Sequence, residues 1–105
     1  MHFPNTVTML SSAEDERTFC NSSNTSNKVM IFFGSDYCPH CHDMKDFYSS
    51  LPSKYPSCKF GYVETSQIEV DNLDGVPVFV LYRNCVPVDK VVGASPDKVT
   101  NLLTK

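Results

Sequence analysis

The five consecutive apolar residues Val29–Phe33 are the feature that most restricts how this chain can fold. A strand with one face in water alternates polar and apolar side chains, whereas a continuous apolar run indicates a strand that is covered on both faces. We therefore expect Val29–Phe33 to be the central strand of a sheet with helices on both faces.

The segments around this strand predict strands and helices in alternation. The capping box Ser11-Ser-Ala-Glu14 favours a helix start, and Pro52 is expected to end the second helix, because the residue before a proline resists helical geometry. The polar segment Asn21–Asn27 is interpreted as a solvated linker. The elements predicted in this half are a strand at Val7–Leu10, a helix to about Cys20, the strand Val29–Phe33, and a helix from Cys38 to about Ser50 with Cys41, Met44, Phe47 and Leu51 at helical spacing.

The second half of the chain predicts mostly strands. Between the third strand and the next, Gln67–Leu73 leaves room for only a brief third helix or a turn. The predicted elements are a strand at Cys58–Glu64, a hairpin of Pro77–Tyr82 and Val86–Val92, and a last helix capped by Ser95-Pro96 with Val99, Leu102 and Leu103 as its buried stripe. This order predicts an α/β fold: a single domain over residues 1–105 with a mixed central β-sheet and helices on both faces.

Composition and charge exclude several classes of partner. The 105 residues carry 9 basic and 12 acidic side chains, a net charge of -3, so we expect no nucleic-acid partner. The longest apolar runs, such as Val76–Tyr82, are far shorter than the roughly 20 residues of a membrane helix, so no membrane partner is expected. The first residues lack a secretory signal pattern. A cytoplasmic location is the expectation, with a secreted or organellar mature form as the alternative.

The chemistry is expected to reside in Cys38-Pro39-His40-Cys41. Two thiols separated by two residues at a helix start can close a small disulfide ring, and the unpaired N–H groups and dipole of the helix favour the thiolate of the first. Cys38 would attack a partner's disulfide, and Cys41, one turn further in, would resolve the mixed disulfide. A protonated His40 would favour the Cys38 thiolate further.

Three motifs in this order resemble the thioredoxin superfamily over nearly the whole chain. They are Phe33–Tyr37 leading into Cys38-Pro39-His40-Cys41, then Gly75-Val76-Pro77, and finally Val91-Val92-Gly93-Ala94. The resemblance implies a thioredoxin-like fold in which the Val76–Pro77 peptide bond is cis and packs against the active-site disulfide. It also implies a substrate groove at Val76, Pro77 and Gly93, and Tyr37 is expected at its rim.

The departures from the family pattern are informative. Thioredoxins usually carry Trp-Cys-Gly-Pro-Cys and a buried aspartate six residues before the first cysteine, whereas this chain has Tyr37, Pro39-His40 and Phe32 at those positions. The Cys-Pro-His-Cys motif with Val76-Pro77 is similar to the active site of the bacterial periplasmic disulfide oxidases, but their helical insertion is missing. We expect tuning of Cys38 by His40 and Pro39, and a more oxidising disulfide than that of thioredoxin.

The expected activity is thiol–disulfide exchange by a monomer. Its partners would be protein disulfides or dithiols and an upstream thiol reductant or oxidant, such as a thioredoxin reductase or glutathione. The Cys38–Cys41 disulfide would be the redox centre, with no other cofactor and no metal. The alternative from another class is a thioredoxin-fold binding or chaperone module without net redox turnover, which would need neither cysteine.

Two other chemistries match parts of the cysteine pattern. The residues from Cys38 to His42 satisfy the haem attachment pattern C-x-x-C-H, but they follow a β-rich strand rather than lying in the helical context of a small c-type cytochrome. A zinc site usually needs about four ligands, typically in two paired clusters. Cys58 and Cys85 are isolated in sequence, which disfavours zinc.

The remaining cysteines, Cys20, Cys58 and Cys85, are expected to be small buried or semi-buried hydrophobic residues. Cys58 and Cys85 are predicted on strands that are not neighbours, so a bridge between them would strain the Cα separation limit. Cys85 lies at a turn where glycine would be easier. Asn21 and Asn24 each begin an N-x-S/T pattern, and glycosylation there would depend on secretion.

Overall fold

The computed structural model describes residues 2–21, 28–65 and 75–105. The elements in chain order are β1 (Val7–Leu10), α1 (Ala13–Asn21), β2 (Lys28–Gly34), α2 (Pro39–Lys54), β3 (Cys58–Glu64), β4 (Val78–Arg83), β5 (Val86–Val92) and α3 (Pro96–Leu103). The predicted strands and helices over these residues are confirmed, with ends that shift by a few residues. The possible third helix at Gln67–Leu73 lies outside the described residues.

The five strands form one mixed sheet in the order β1-β3-β2-β4-β5. β2 pairs in parallel with β3 on one side and antiparallel with β4 on the other, which makes it the central strand, as its sequence predicts. β1 runs parallel to β3, and β5 runs antiparallel to β4. This mixed sheet with helices on both faces confirms the α/β architecture that the sequence predicts.

Alternate residues of β2 supply two separate cores. Met30 and Phe32 point to the face that α2 and α3 cover, whereas Val29, Ile31 and Phe33 point to the face of α1. All five are at most 3% exposed. The continuous apolar run is therefore explained by helices on both faces, since neither side of the strand meets water.

Phe32 lies at the centre of an aromatic cluster on the α2 face. Its ring stacks on Phe79 at a centroid distance of 4.5 Å and meets the edges of Tyr48 and Tyr62 at 5.1 Å each. The Tyr48 hydroxyl lies within hydrogen-bond distance of the backbone carbonyl oxygens of Met30 and Gly61, at 3.2 and 2.7 Å. Phe32, at the position where the resembling family has an aspartate, is thus a core residue that packs between α2 and the neighbouring strands.

Pro52 does not end α2, so this prediction is wrong. The helix continues to Lys54, and the Tyr55 N–H donates to the Leu51 carbonyl at 2.9 Å across the proline. Leu51 is only 1% exposed, so its side chain holds the residue before Pro52 in the core. A proline in the last turn removes one helical hydrogen bond, and burial of Leu51 offsets that loss.

The cap of α1 differs by one residue from the predicted capping box, whereas the cap of α3 does not. Ser12 rather than Ser11 caps α1, because its Oγ accepts from the Asp15 N–H at 3.0 Å, and the Asp15 carboxylate in turn accepts from the Ser11 N–H and hydroxyl at 3.0 and 2.7 Å. Ser11 and Ser12 are each followed three residues later by an acid, so either serine could cap the unpaired N–H groups at the helix start. At α3, Ser95 caps and Pro96 starts the helix as predicted.

We predict that Phe32→Ala lowers the free energy of unfolding by about 3–5 kcal/mol, because it leaves a cavity among packed aromatic rings. Chemical denaturation followed by far-UV circular dichroism measures the change. Tyr37→Ala is the matched control, since Tyr37 is 86% exposed and its removal should cost less than about 0.5 kcal/mol. Equal effects of the two substitutions would contradict this account of the core.

Candidate active site

Cys38 is the N-cap of α2. Its backbone is extended, its Sγ accepts a hydrogen bond from the Cys41 N–H at 3.2 Å, and Pro39 occupies the first turn of the helix. A proline there removes no helical hydrogen bond, because the first N–H groups of a helix have no intrahelical acceptor. The sulfur therefore lies at the positive end of the helix dipole, where negative charge is stabilised.

The loop from β2 to α2 is fixed by backbone hydrogen bonds. The Cys38 N–H donates to the Ser35 carbonyl at 3.1 Å, and the Tyr37 N–H donates to the Ser35 hydroxyl at 3.1 Å. Nε2 of His42 lies 2.7 Å from the Asp36 carbonyl oxygen, which links the first turn of α2 back to the loop. In the sequence, His42 stands out only as the last residue of the C-x-x-C-H pattern, so this contact is one that sequence reasoning missed.

Cys41 lies one turn into the helix and is fully buried, whereas Cys38 is partly exposed. Burial raises the pKa of the Cys41 thiol, and its hydrogen bond with Cys38 raises it further, while a backbone hydrogen bond from Ser35 acts in the opposite direction. Both sulfurs are free thiols in this structure. The two cysteines therefore differ in their access to solvent, and the Cys41 thiol holds its proton more tightly than an ordinary cysteine.

The segment Gly75–Pro77 leads into β4, which pairs with β2, so it lies close to the residues that follow β2. The Val76–Pro77 peptide bond is cis, which confirms the prediction, and the Cys38 thiol lies 3.8 Å from the Val76 carbonyl oxygen. The Gly93 N–H donates to the Pro77 carbonyl at 2.9 Å, and Gly93 has a φ of 109°, which a side chain would strain. The structure thus brings together Cys38, Val76, Pro77 and Gly93.

The remaining predicted residues of the site lie at its surface. Tyr37 is 86% exposed. His40 is also exposed, and its Nδ1 lies 3.9 Å from Oδ2 of Asp43 on the next turn. The tuning of Cys38 by His40 and Pro39 stays a prediction.

Glu64 is a residue that sequence reasoning missed. It ends β3 beside Gly34 of β2 and is only 8% exposed. Both of its carboxylate oxygens lie within hydrogen-bond distance of the Asp36 N–H, at 3.0 and 3.2 Å, and Oε1 accepts from the Tyr62 hydroxyl at 2.8 Å. An acid that directly follows the apolar residues Tyr62 and Val63 at the end of a predicted strand was the available signal.

Cys20 and Cys85 form a disulfide, so the expectation that both are free apolar residues is wrong. The sequence argument considered only pairs on strands, whereas Cys20 lies on α1, whose last turn approaches the β4–β5 turn. Their Cα atoms are 5.5 Å apart, within the usual range for a disulfide. Asn84 and Cys85 both have positive φ, as a two-residue hairpin turn requires.

Cys58 behaves as predicted for a small apolar residue. It is a free thiol, 6% exposed, at the start of β3, and burial raises its pKa to about 12. Over residues 2–21, 28–65 and 75–105, no three His, Cys, Asp or Glu side chains are gathered as a metal site would require. In the same ranges, no helix is long and apolar enough to cross a membrane.

Comparisons with known proteins agree with this geometry. The family model for thioredoxin matches residues 10–105. A thioredoxin-like protein of rice, CXXS1, is 30% identical over 78% of this chain, and a rice thioredoxin H-type is 27% identical over 73% of it. The alignments span 65% and 66% of the length of these two relatives.

Solved structures show the same fold. The Fasciola hepatica thioredoxin superposes with a TM-score of 0.87 at 22% identity, covering 93% of this chain and 97% of its own. A poplar thioredoxin h superposes with a TM-score of 0.84 at 23% identity, covering 95% of each chain.

We predict that the double substitution Cys20→Ser/Cys85→Ser lowers the free energy of unfolding by about 4 kcal/mol, because a bridge across a sequence separation of 65 restricts the unfolded chain. Guanidinium denaturation without reductant measures it, with Cys58→Ser as the cysteine control that leaves the bridge intact. Either single substitution should cost about as much as both. If wild type that has met no reductant has the same free energy of unfolding as the double variant, this would contradict a formed bridge.

Proposed function

Because this chain belongs to the thioredoxin family, we propose that it is a thiol–disulfide oxidoreductase that exchanges electrons with protein disulfides and dithiols through Cys38 and Cys41. Family membership supports thiol–disulfide exchange in general. The observation that supports this pair is the contrast between them: a partly exposed sulfur at a helix N-cap and a buried thiol one turn behind it.

The proposed reaction has two exchanges. The Cys38 thiolate attacks one sulfur of a client disulfide, so that a Cys38–client bond forms and the other client sulfur leaves as a thiolate. The Cys41 sulfur then bonds to Sγ of Cys38 and expels the first client sulfur. The client gains two electrons and, with two protons, becomes a dithiol, while Cys38 and Cys41 become a disulfide. An upstream thiol reductant, such as a thioredoxin reductase or two molecules of glutathione, returns them to thiols, and a client dithiol runs the same steps in reverse.

The client would lie across Cys38, Val76 and Gly93. In the free protein the Val76 carbonyl accepts from the Cys38 thiol, and this bond is lost once Cys38 is in a mixed disulfide. The carbonyl is then available to an extended client backbone, in the manner of strand addition at an open edge. Exposed Tyr37 would contact the client at the rim of this groove.

The compartment in which the protein acts is proposed from Cys20 and Cys85. Disulfides persist in oxidising compartments and are rare in the cytosol. A bridge with Cys85 exposed favours a secreted or organellar setting over the expected cytoplasmic one. Alkylating the protein within its native cells and mapping the modified cysteines by peptide mass spectrometry tests this: unmodified Cys20 and Cys85 indicate an intact bridge, whatever the state of Cys38 and Cys41.

We predict that Cys38→Ser abolishes exchange, whereas Cys41→Ser accumulates mixed disulfides with clients, because it keeps the attacking thiol and lacks the resolving one. Non-reducing electrophoresis with mass spectrometry detects the trapped species, and Cys58→Ser is the control. Trapping by Cys38→Ser instead would reverse the roles. A wild type that binds clients without reducing any disulfide would favour the binding-module alternative.

We predict a reduction potential less negative than the roughly −270 mV of thioredoxin and more negative than the roughly −120 mV of DsbA. A helix start favours negative charge on a sulfur at its N-cap, a protonated His40 would add to this, and whatever favours the thiolate makes the disulfide more oxidising. Equilibration against glutathione measures the potential. A value at or below that of thioredoxin would contradict the prediction.

Two exposed substitutions in α2 test the source of this shift. His40→Pro should lower the potential, while Asp43→Asn should raise it, because Asp43 offsets the charge of His40 at 3.9 Å. Solvent screening at these exposed positions keeps each effect to the order of tens of millivolts. Unchanged potentials in both variants would show that His40 does not tune Cys38.

A further inference from the structure

Glu64 is the one buried acidic side chain among the described residues. A carboxylate in the core is costly unless its oxygens are hydrogen-bonded. The Asp36 N–H and the Tyr62 hydroxyl supply donors here. The Glu64 carboxylate is therefore held close to the loop that precedes Cys38.

The Glu64 side chain lies on the same face of β3 as Tyr62, whose hydroxyl donates to the Glu64 carboxylate at 2.8 Å. Phe60, Tyr62 and Glu64 are alternate residues of β3 and share the face that α2 covers, and Tyr62 and Cys41 belong to one buried cluster. The charge of Glu64 acts on Cys41, where it contributes to the raised pKa, and Cys41 in turn acts on the hydroxyl of Tyr62. Carboxylate, phenol and thiol are therefore neighbours inside the site.

The second exchange requires a proton acceptor. At neutral pH the buried Cys41 is a thiol, because its pKa is raised, and only the thiolate attacks a disulfide. The position six residues before Cys38, where the resembling family has an aspartate, holds Phe32, which has no acceptor atom. Something else must take the proton when the mixed disulfide is resolved.

We propose that Glu64 is the proton acceptor for Cys41 in the resolving step. This rests on the exchange reaction proposed above. The Glu64 carboxylate takes the proton of the Cys41 thiol, the Cys41 sulfur forms a bond to Sγ of Cys38, and the Cys38–client bond breaks. The client sulfur leaves as a thiolate, and the proton held by Glu64 passes to it or to water. Electrons and protons balance without another reactant.

Other titratable groups surround this pair. Cys38 faces Cys41 from the helix start, Tyr62 lies between β3 and α2, and the Asp36 side chain lies in the loop above. On its outer side, the Asp36 carboxylate interacts with His42 and His2. The imidazoles thus act on Asp36, and Glu64 is the acid that acts on both Cys41 and Tyr62.

A single experiment separates the two exchanges. The reduced protein, with its Cys20–Cys85 bridge verified by mass, is mixed with one equivalent of dithiobis(nitrobenzoate). Attack by Cys38 releases the first nitrothiophenolate and attack by Cys41 releases the second, so stopped-flow absorbance gives both rates. Wild type and Glu64→Gln are compared from about pH 6 to about pH 9. Glu14→Gln, which removes an exposed charge from α1, is the matched control.

We expect Glu64→Gln to slow the second release by about 10²-fold near pH 7, the lower end of what a general base contributes, and to leave the first release unchanged. The deficit should shrink as pH rises, because hydroxide replaces the missing acceptor. Removing the charge alone would favour the Cys41 thiolate, so a purely electrostatic role predicts a faster second release. The sign of the effect therefore distinguishes the two roles.

An equal or faster second release in Glu64→Gln would overturn the proposal, as would an equal slowing of both releases, which marks a merely structural role. These outcomes leave the exchange reaction standing, since wild type still releases both groups. A wild type that releases only the first group would instead overturn the proposed function, and this inference with it.

Discussion

Burial of β2 on both faces is the constraint on which the rest of this structure depends. Its five apolar residues must be covered from both sides, which requires α1 on one face and α2 with α3 on the other. The strand also pairs with β3 and β4 at once, so its end is held in place by two neighbours. The loop that follows Gly34 therefore begins at a fixed point at the edge of the sheet.

That fixed point accounts for the difference between the two cysteines. The short loop after β2 places Cys38 at the helix N-cap, where backbone N–H groups meet its sulfur, and one helical turn carries Cys41 into the core. The two cysteines therefore acquire different access to solvent, and burial raises the pKa of the Cys41 thiol. The difference in access needs no special side chain, since helix geometry is enough.

The aromatic core changes how protons can move in this site. Phe32 contributes packing against Phe79, Tyr48 and Tyr62 and offers no acceptor to Cys41. Glu64 enters from the neighbouring strand, bonded to Tyr62 and to the loop. The carboxylate thus lies at a strand end, where Asp36 supplies a backbone donor, rather than in the strand interior, where a charge would displace the stacked rings.

The sequence by itself determined the order of elements, the central strand, the cap at Cys38 and the place of the cysteine pair at the start of a helix, because each follows from local periodicity, helix-end chemistry or a short motif. Only the tertiary structure decided the Cys20–Cys85 bridge, the buried position of Glu64 and the continuation of α2 past Pro52. The first two join residues far apart in sequence, and spacing along a chain does not report distance in space. The continuation of α2 depends on the burial of Leu51, because this burial offsets the hydrogen bond that Pro52 removes from the helix.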